Sequence, residues 1–314
     1  MDGLRSESPW HAGERAIQDS IGMAGKMESI GRRVIREFMP DQHRQFFEQL
    51  PFAVFGAVDA QGDVWATLRA GGEGFMYSPD PQRLLLELPR VADDPADAGM
   101  EHGAAIGMLG IELHTRRRNR LNGTLIRPAS GASAAGAMRS QILVDESFGN
   151  CPQYIHVRDY RYERAPEELS GLPAIAGSVL DDEARWLIES AGTFFVATYA
   201  DEGRRRVDVS HRGGEPGFVQ VAQDGTLTIP DYSGNRFFNT LGNIVLNGRA
   251  GLVFPDFASG GLLQMTGEAS VLLDAPEQAR FDGAERLWRF RPRRIVWRED
   301  ALPLRWSRRL PGDL

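Results

Sequence analysis

A short polar strand is the part of the sequence best suited to contact an anion. Residues 206–212 read as a strand, in which alternation sends successive side chains to opposite faces. One face carries four polar side chains and the other carries two valines and a histidine; in chain order they are Arg206, Val207, Asp208, Val209, Ser210, His211 and Arg212. Such a strand either meets water or lines a polar cavity, and the strand alone leaves both alternatives open.

A basic turn follows at Gly234, Asn235 and Arg236, where apolar spacing over residues 233–244 predicts a helix. A helix N-terminus presents free backbone N–H groups and partial positive charge, so it favours a phosphate. Arginine in the first turn is otherwise unfavourable, and Arg236 could add a bidentate contact to an anion. The strand and the helix start together form a phosphate-site hypothesis.

The elements that would carry this site occur twice. Residues 52–75 align without gaps on residues 195–218, and shorter pieces extend the alignment in both directions. The matched pieces include Phe52 with Phe195, Val64 with Val207, Thr67 with Ser210, Arg69 with Arg212, Gly110 with Gly251, Gly123 with Gly267, and Asp41–Leu50 with Asp182–Ala191. Because order and spacing hold throughout, we interpret the chain as a tandem domain duplication.

Each copy is predicted to be a β-barrel preceded by a short helix. In the C-terminal copy, six β-branched or aromatic segments are separated by turn sequences, at 194–199, 207–211, 217–221, 226–229, 250–254 and 262–272. These predict a closed antiparallel barrel, and hence a mainly β protein with flanking helices. Apolar residues at three- and four-residue steps from Ala16 to Met39 predict an amphipathic helix, weakened or broken by glycines, that packs across a barrel. We place the domains at 1–40, 41–165 and 166–314.

Composition excludes several classes of function. The formal net charge of −7 argues against a nucleic-acid partner, which usually requires a basic face. With Cys151 as the single cysteine, no intramolecular disulfide can form, and the six histidines lack metal-ligand spacing. The sequence shows neither a signal-peptide pattern nor an apolar run of membrane-spanning length. We therefore expect a cytoplasmic protein with no bound metal and no membrane partner.

Several motifs together resemble the pyridoxamine 5'-phosphate oxidase-related FMN-binding split-barrel family, in its bacterial tandem double-barrel branch. The resemblance covers nearly the whole chain, and its motifs are specific as a set although each alone is weak. It rests on residues 208–218, 229–236, 240–244 and 251–254, and on the motifs at 8–14 and 147–155. The expected fold is two tandem split barrels that form a pseudo-dimer.

The resemblance also implies a cofactor and its site. In the family, basic residues on the second strand and at the helix start hold the flavin phosphate, while strand backbone groups meet the isoalloxazine ring. Family barrels pair so that flavin lies in the cleft between them. The implied FMN-binding residues here are Arg206, Val207, Asp208, Val209, Ser210, His211, Arg212, Pro230, Asp231, Asn235, Arg236 and Cys151, with Pro230 and Asp231 near the ring or ribityl chain.

Two departures from the family pattern limit what can be carried over. The oxidases proper have lysine at the position of His211 and an Arg-Gln pair at Gly261-Leu262, so pyridoxamine phosphate oxidation is doubtful. The N-terminal copy has Asp63, Trp65 and Leu68 where the C-terminal copy has Arg206, Asp208 and His211. Its phosphate site is therefore interpreted as degraded, which predicts one flavin per chain.

Two features have both a structural and a functional interpretation. The basic run from His114 to Arg120 could bind an anion, although an exposed hairpin paired with acidic residues is the commoner arrangement. A lone cysteine is more often an inert small residue than a reactive thiol, but Cys151 follows the first barrel directly and is expected near the cleft between the barrels.

These observations lead to one main functional hypothesis and one alternative. The first is an FMN-dependent oxidoreductase that acts on a small-molecule substrate, with NAD(P)H or another electron donor as partner. The alternative is a non-catalytic protein that binds flavin, deazaflavin or haem in the same cleft. The substrate, the catalytic residues and homodimer formation are left open.

Overall fold

The computed structural model describes residue 5, residues 7–128 and residues 139–309. The described helices are α1 Ala12–Ser20, α2 Ala24–Val34, α3 Asp41–Glu48, α4 Asp182–Ser190 and α5 Asn239–Asn247, with 3-10 helices η1 Pro95–Gly99 and η2 Pro276–Arg280. The strands before residue 165 are β1 Phe52–Val58, β2 Val64–Ala70, β3 Met76–Asp80, β4 Arg83–Leu86, β5 Ala105–Glu112, β6 Arg117–Ile126, β7 Ser140–Gly149 and β8 Arg158–Tyr162. The later strands are β9 Ile175–Gly177, β10 Thr193–Glu202, β11 Arg204–Gly213, β12 Gln220–Val221, β13 Leu227–Tyr232, β14 Arg249–Pro255, β15 Leu262–Leu272, β16 Ala284–Arg298 and β17 Leu304–Arg308.

Two antiparallel sheets repeat one strand order. The first runs β2-β1-β5-β6-β7-β4-β3 and the second runs β11-β10-β14-β15-β16-β13-β12, so each strand of one has a counterpart in the other. A short third sheet pairs β8 with β17, and β9 pairs with β16. The predicted mainly β fold with two tandem split barrels is therefore confirmed.

The prediction of six strands in the second barrel was wrong by one. The missed strand, β16, is the longest of the chain and pairs with both β15 and β13. Its sequence, AERLWRFRPRRIVWR, interrupts the apolar pattern with six arginines and a proline. Arg286 and Arg298 are buried and the other four arginines are exposed, a distribution that is set by tertiary packing and that local composition does not show.

Strand pairing gives the true correspondence between the halves. A β-bulge lies before Gly123 in β6 and before Gly267 in β15, where an added Cβ would collide with a carbonyl oxygen of the next strand. These two glycines therefore correspond to each other. Following the strand pairs from them across each sheet matches Gly107 with Gly251 and then Gly56 with Ala197. The predicted alignment holds for β2 on β11, but it is wrong for Phe52 with Phe195 and for Gly110 with Gly251.

The error in the alignment of β1 on β10 has a local cause. Val54 is the true counterpart of Phe195, since they pair with Leu68 and His211, which correspond to each other. The β10–β11 hairpin continues to Glu202 and Arg204, so it is longer than the β1–β2 hairpin, which turns between Val58 and Val64. An alignment without gaps cannot follow both strands of the hairpin.

The barrels pack against each other around an approximate two-fold axis. Gly56 lies against the side chain of its counterpart Ala197, while Gly107 meets the backbone of β11 and Gly251 meets that of β2. A separate apolar cluster joins the two sheets here and includes Val54, Leu109, Val207 and Val209. The barrels form the expected pseudo-dimer, with a core inside each and a third core between them.

The N-terminal helices brace both barrels. The predicted helix over 16–39 is broken into α1 and α2 at Gly22, which has φ +69°. Ile17 of α1 enters the core of the second barrel, whereas Arg36 bridges to Ser147 of the first. Among the described residues, no helix combines the length and apolar character needed to cross a membrane.

Candidate functional site

A cleft lies between the barrels, walled by β11, β13 and the start of α5 on one side and by β6 and residues 150–154 on the other. Eight of the residues predicted to bind the cofactor line it: Cys151, Ser210, His211, Arg212, Pro230, Asp231, Asn235 and Arg236. The remaining four do not line it, namely Arg206, Val207, Asp208 and Val209. The cleft is therefore lined by the C-terminal half of the predicted strand and by the predicted turn.

The four outlying residues have structural contacts of their own. Val207 and Val209 are buried in the core between the barrels. Arg206 donates to the carbonyl of Pro9, in the N-terminal extension, at 3.3 Å and lies 3.7 Å from Glu146. Asp208 is buried beneath the cleft, where its Oδ1 lies 2.6 Å from Nη1 of Arg120. Alternation correctly groups these side chains by face, but it does not show where along β11 the cleft ends.

The predicted helix start is displaced. Helix α5 begins at Asn239, so Asn235 and Arg236 belong to the preceding loop. Arg236 and Phe238 have φ +62° and +60°, a left-handed conformation that costs a non-glycine residue about 1 kcal/mol or more. The Asn235 side chain accepts a hydrogen bond from the Phe237 backbone N–H at 3.1 Å, which favours a tight turn over a helix. Arg236 still lines the cleft and lies 3.8 Å from Glu285.

Two arginines from the first barrel cross into the cleft. Arg118 and Arg120 alternate along β6 and so project from one face of the strand. Arg120 donates to Ser210 Oγ at 2.5 Å and to Asn239 Oδ1 at 2.7 Å, while Arg118 donates to the Cys151 carbonyl at 2.6 Å. The exposed-hairpin interpretation of the basic run was therefore wrong for these two, since Arg120 is only 3% exposed.

The protonation of His211 follows from these neighbours. Burial lowers the pKa of His211 well below its usual value, and the charges of Arg118 and Arg212 lower it further. The neutral ring accepts a hydrogen bond at Nδ1 from Arg118 Nη1 at 3.0 Å, so its proton resides on Nε2. Burial also lowers the pKa of Arg118 to about 10, with Arg120 contributing, yet this guanidinium stays charged at neutral pH.

Several buried polar atoms around the cleft have no partner within the described residues. They are Arg120 Nε, Asn150 Nδ2, His211 Nε2, Arg212 Nε and Thr240 Oγ1. A buried polar atom without a hydrogen bond costs about 1–3 kcal/mol, and such atoms are uncommon in native proteins. Four of the five are donors and the fifth is a hydroxyl, so the cleft suits a ligand rich in acceptor oxygens.

Aromatic residues border the solvent side of the cleft. The rings of Tyr154 and Tyr232 stack with centroids 5.2 Å apart, and the Tyr154 hydroxyl donates to the Ser233 carbonyl at 3.0 Å. Tyr154 is itself in a left-handed conformation, with φ +62°, and stays 41% exposed. A flat, partly exposed aromatic surface of this kind can pack against a planar ring.

Helix α1 supports the cleft from behind. The Glu14 carboxyl accepts a hydrogen bond from Asn239 Nδ2 and another from the His11 backbone N–H, the latter at 3.0 Å. Burial raises the pKa of Glu14 to about 8 and lowers the pKa of His11 to about 4. Both side chains are therefore neutral at pH 7, and the 3.4 Å approach of His11 Nε2 to Glu14 Oε2 is not an ion pair. Asn239 is thereby fixed so that its oxygen faces Arg120.

The contacts from α1 and β6 were missed by sequence reasoning for different reasons. The alternation of Arg118 and Arg120 was visible, but their partners lie in the other barrel. Glu14 belongs to a motif that the resemblance included, yet nothing in its spacing indicates burial.

The fold and site define a class of protein: tandem split barrels that share a polar, arginine-lined cleft. Residues 180–297 match the family described as pyridoxamine 5'-phosphate oxidase. That match covers the second barrel.

Solved structures similar to the chain come from several bacteria. HupZ of Group A Streptococcus is 17% identical over 40% of this chain and 98% of its own, with a TM-score of 0.32. An FAD binding protein from Mycobacterium smegmatis is 17% identical over 39% of this chain and 98% of its own, with a TM-score of 0.28. HutZ, the heme storage protein from Vibrio cholerae, is 16% identical over 38% of this chain and 94% of its own, with a TM-score of 0.28. No curated protein matches the sequence significantly.

Proposed function

We propose that the chain is an FMN-binding flavoprotein, with one flavin in the cleft between the barrels, and that it acts as an oxidoreductase on a small molecule. The observation that carries the proposal is the set of unpartnered donors that converge on this cleft together with Arg118. An FMN phosphate and the ring carbonyls supply the acceptor oxygens that these donors lack. The family match of the second barrel supports the choice of a flavin.

The residues present suit the two chemical parts of FMN. Arg212, Asn150 and Thr240 offer free donors at the buried part of the cleft, and the start of α5 adds backbone N–H groups there because Phe238 provides no side-chain cap. These groups would hold the phosphate. Tyr154 and Tyr232 would contact the planar ring at the more exposed end. When bound, the flavin supplies hydride or electron transfer, and the protein supplies binding and orientation.

Binding is tested by the colour and cofactor content of the purified protein. We expect a yellow protein that releases FMN on denaturation, and an apoprotein that prefers FMN over riboflavin because only FMN has the phosphate. Arg212→Ala should weaken FMN binding roughly 10- to 100-fold, the size expected for a lost charge-assisted hydrogen bond, and should reduce the preference over riboflavin. A fluorescence titration measures both quantities.

The control variant is Arg205→Ala, on the same strand but outside the cleft. Arg205 pairs with Asp201 at 3.1 Å and is not part of the lining, so FMN affinity should be unchanged. A colourless protein that binds neither FMN nor riboflavin would refute the proposal. A bound haem, recognised by its absorption spectrum, would also refute it.

Activity is tested separately from binding. An oxidoreductase loaded with FMN should consume NAD(P)H under air, faster than free FMN does. Retention of FMN without consumption of NAD(P)H or another donor would leave the binding proposal intact and refute the catalytic one.

A further inference from the structure

The approximate two-fold axis relates the flavin cleft to a second position between the barrels. Counting along the paired strands matches Ser210 with Thr67 and Arg212 with Arg69 on the equivalent strands β11 and β2. The same count matches Arg120 with Gln264 in β6 and β15. It also matches Asn150 with Arg298, directly after β7 and at the end of β16. The second position therefore keeps a hydroxyl, an arginine and further donors.

A carboxylate of the chain fills that second position. Asp94 Oδ2 accepts from Thr67 Oγ1 at 2.6 Å and lies 2.9 Å from Arg69 Nη2 and 3.1 Å from Arg298 Nη1. Its Oδ1 accepts from Gln264 Nε2 at 3.0 Å. The Asp94 side chain is fully buried, with 0% exposure. All four equivalents of the cleft residues thus converge on one carboxylate.

Asp94 also stands at the equivalent place along the chain. It is the N-cap of η1, where its Oδ1 accepts from the Ala96 backbone N–H at 3.0 Å. Helix η1 lies between β4 and β5, as α5 lies between β13 and β14. At α5 the N-cap residue is Phe238, which makes no side-chain cap hydrogen bond. The carboxylate of one half therefore occupies the space that stays available to a ligand in the other.

We propose that the cleft formed by Thr67, Arg69, Gln264 and Arg298 is a second oxyanion site, which the chain fills with its own Asp94 carboxylate. Removal of that carboxylate leaves the buried Arg298 guanidinium without its counter-ion and leaves Arg69 with Asp97 alone, 3.1 Å away, and a small free carboxylate can then take the place of Asp94. Burial alone would raise the pKa of Asp94, but Arg69 and Arg298 outweigh this effect and keep the pKa below its usual value. The ligand class is a formate- or acetate-sized anion.

The test is rescue of an Asp94 variant by a small anion, measured without flavin. Asp94→Ala should unfold several degrees below the natural protein in chloride, because unpaired buried charges are costly. Formate at the same ionic strength should raise its Tm by several degrees with saturable concentration dependence, as expected for a ligand that binds only the folded state. The natural protein should not respond, because its site is already filled.

Two further variants separate a specific site from a general salt effect. Asp94→Asn keeps the space filled by an amide and should be insensitive to formate. Asp94→Gly leaves a larger space, which acetate should fill. If Asp94→Ala does not fold in chloride, recovery from urea in formate, but not in chloride, would support the site. A folded Asp94→Ala whose Tm ignores formate, or a variant that neither anion recovers, would overturn the proposal whatever the flavin experiments show.

Discussion

At the scale of single residues, the cleft depends on side chains whose protonation is set by burial. Glu14 is held by Asn239 and the His11 backbone, and Asn239 in turn accepts from Arg120. A neutral carboxyl can sit in this place without a counter-ion, whereas an ionised one would be poorly solvated. The residue that orients the base of the cleft is therefore sensitive to pH.

We expect Glu14→Gln to flatten the dependence of stability on pH. The pKa of Glu14 is raised from 4.5 to about 8 on folding, so its contribution is fully present below pH 4.5 and is lost as pH rises toward 8. In that window the natural protein should lose up to about 1.4 kcal/mol per pH unit from this group, and the amide variant should not. Urea unfolding between pH 5 and 8 measures the difference, and equal slopes for both proteins would contradict it.

Sequence alone indicated part of the site at this scale. Strand alternation, which is a local property, grouped Ser210 and Arg212 on one face with Arg206 and Asp208, but it could not separate the two that line the cleft from the two that do not. Arg118 and Arg120 were visible as a basic run, but their partners in β11 and α5 depend on how two barrels meet. Burial of Glu14 depends on how α1 packs against the second barrel, and sequence periodicity does not predict that packing.

At the scale of elements, α1 and α5 approach closely because glycines face each other. An added Cβ at Gly242 would lie 2.6 Å from the backbone N of Glu14, and one at Gly13 would lie 2.1 Å from the carbonyl oxygen of Gly242. Glycine is normally unfavourable inside a helix, so its presence at the contact reflects packing. This contact holds Glu14 against the start of α5.

We predict that Gly242→Ala destabilises the protein by about 1–3 kcal/mol, although alanine is the better helix former. Gly25 in α2 provides the matched control, since an added Cβ there meets nothing within 4 Å. Gly25→Ala should stabilise the protein by up to about 1 kcal/mol through helix propensity. Chemical denaturation of both variants gives the comparison; stabilisation by Gly242→Ala would show that the helices are not in close contact.

The elements themselves were predicted unevenly. Broken helix α1–α2 and the strands β10, β11 and β14 follow from local periodicity and turn residues. Strand β16 was missed because six arginines and a proline interrupt its apolar pattern. Helix α5 was predicted to start too early because Arg236 and Phe238 adopt left-handed conformations. Both errors concern residues whose conformation is imposed by neighbours rather than by local preference.

At the scale of the whole molecule, the barrels meet through two equivalent glycines. An added Cβ at Gly107 would lie 2.9 Å from the carbonyl oxygen of Val207, and one at Gly251 would lie 2.2 Å from that of Val64. Only one of the two contacts involves β11, which carries Ser210 and Arg212. The same change at equivalent positions should therefore affect the flavin cleft unequally.

Alanine at either glycine should lower stability by about 1–3 kcal/mol, since the colliding atoms belong to backbone. Gly107→Ala should weaken FMN retention more than Gly251→Ala, because it displaces β11. Gly177→Ala in β9 is the control, with open space around the added Cβ. Thermal unfolding and FMN titration of the three variants test this, and equal loss of FMN from both interface variants would contradict it.

Linking both barrels in one polypeptide has a consequence for how such a protein can vary. In a homodimer of single barrels, every substitution appears on both sides of the axis, so an aspartate that closes one cleft would close the other. Here Asp94 fills one cleft while the start of α5 stays uncapped in its counterpart. A single chain can therefore use one cleft as a permanent internal brace and leave the other to change with its ligand.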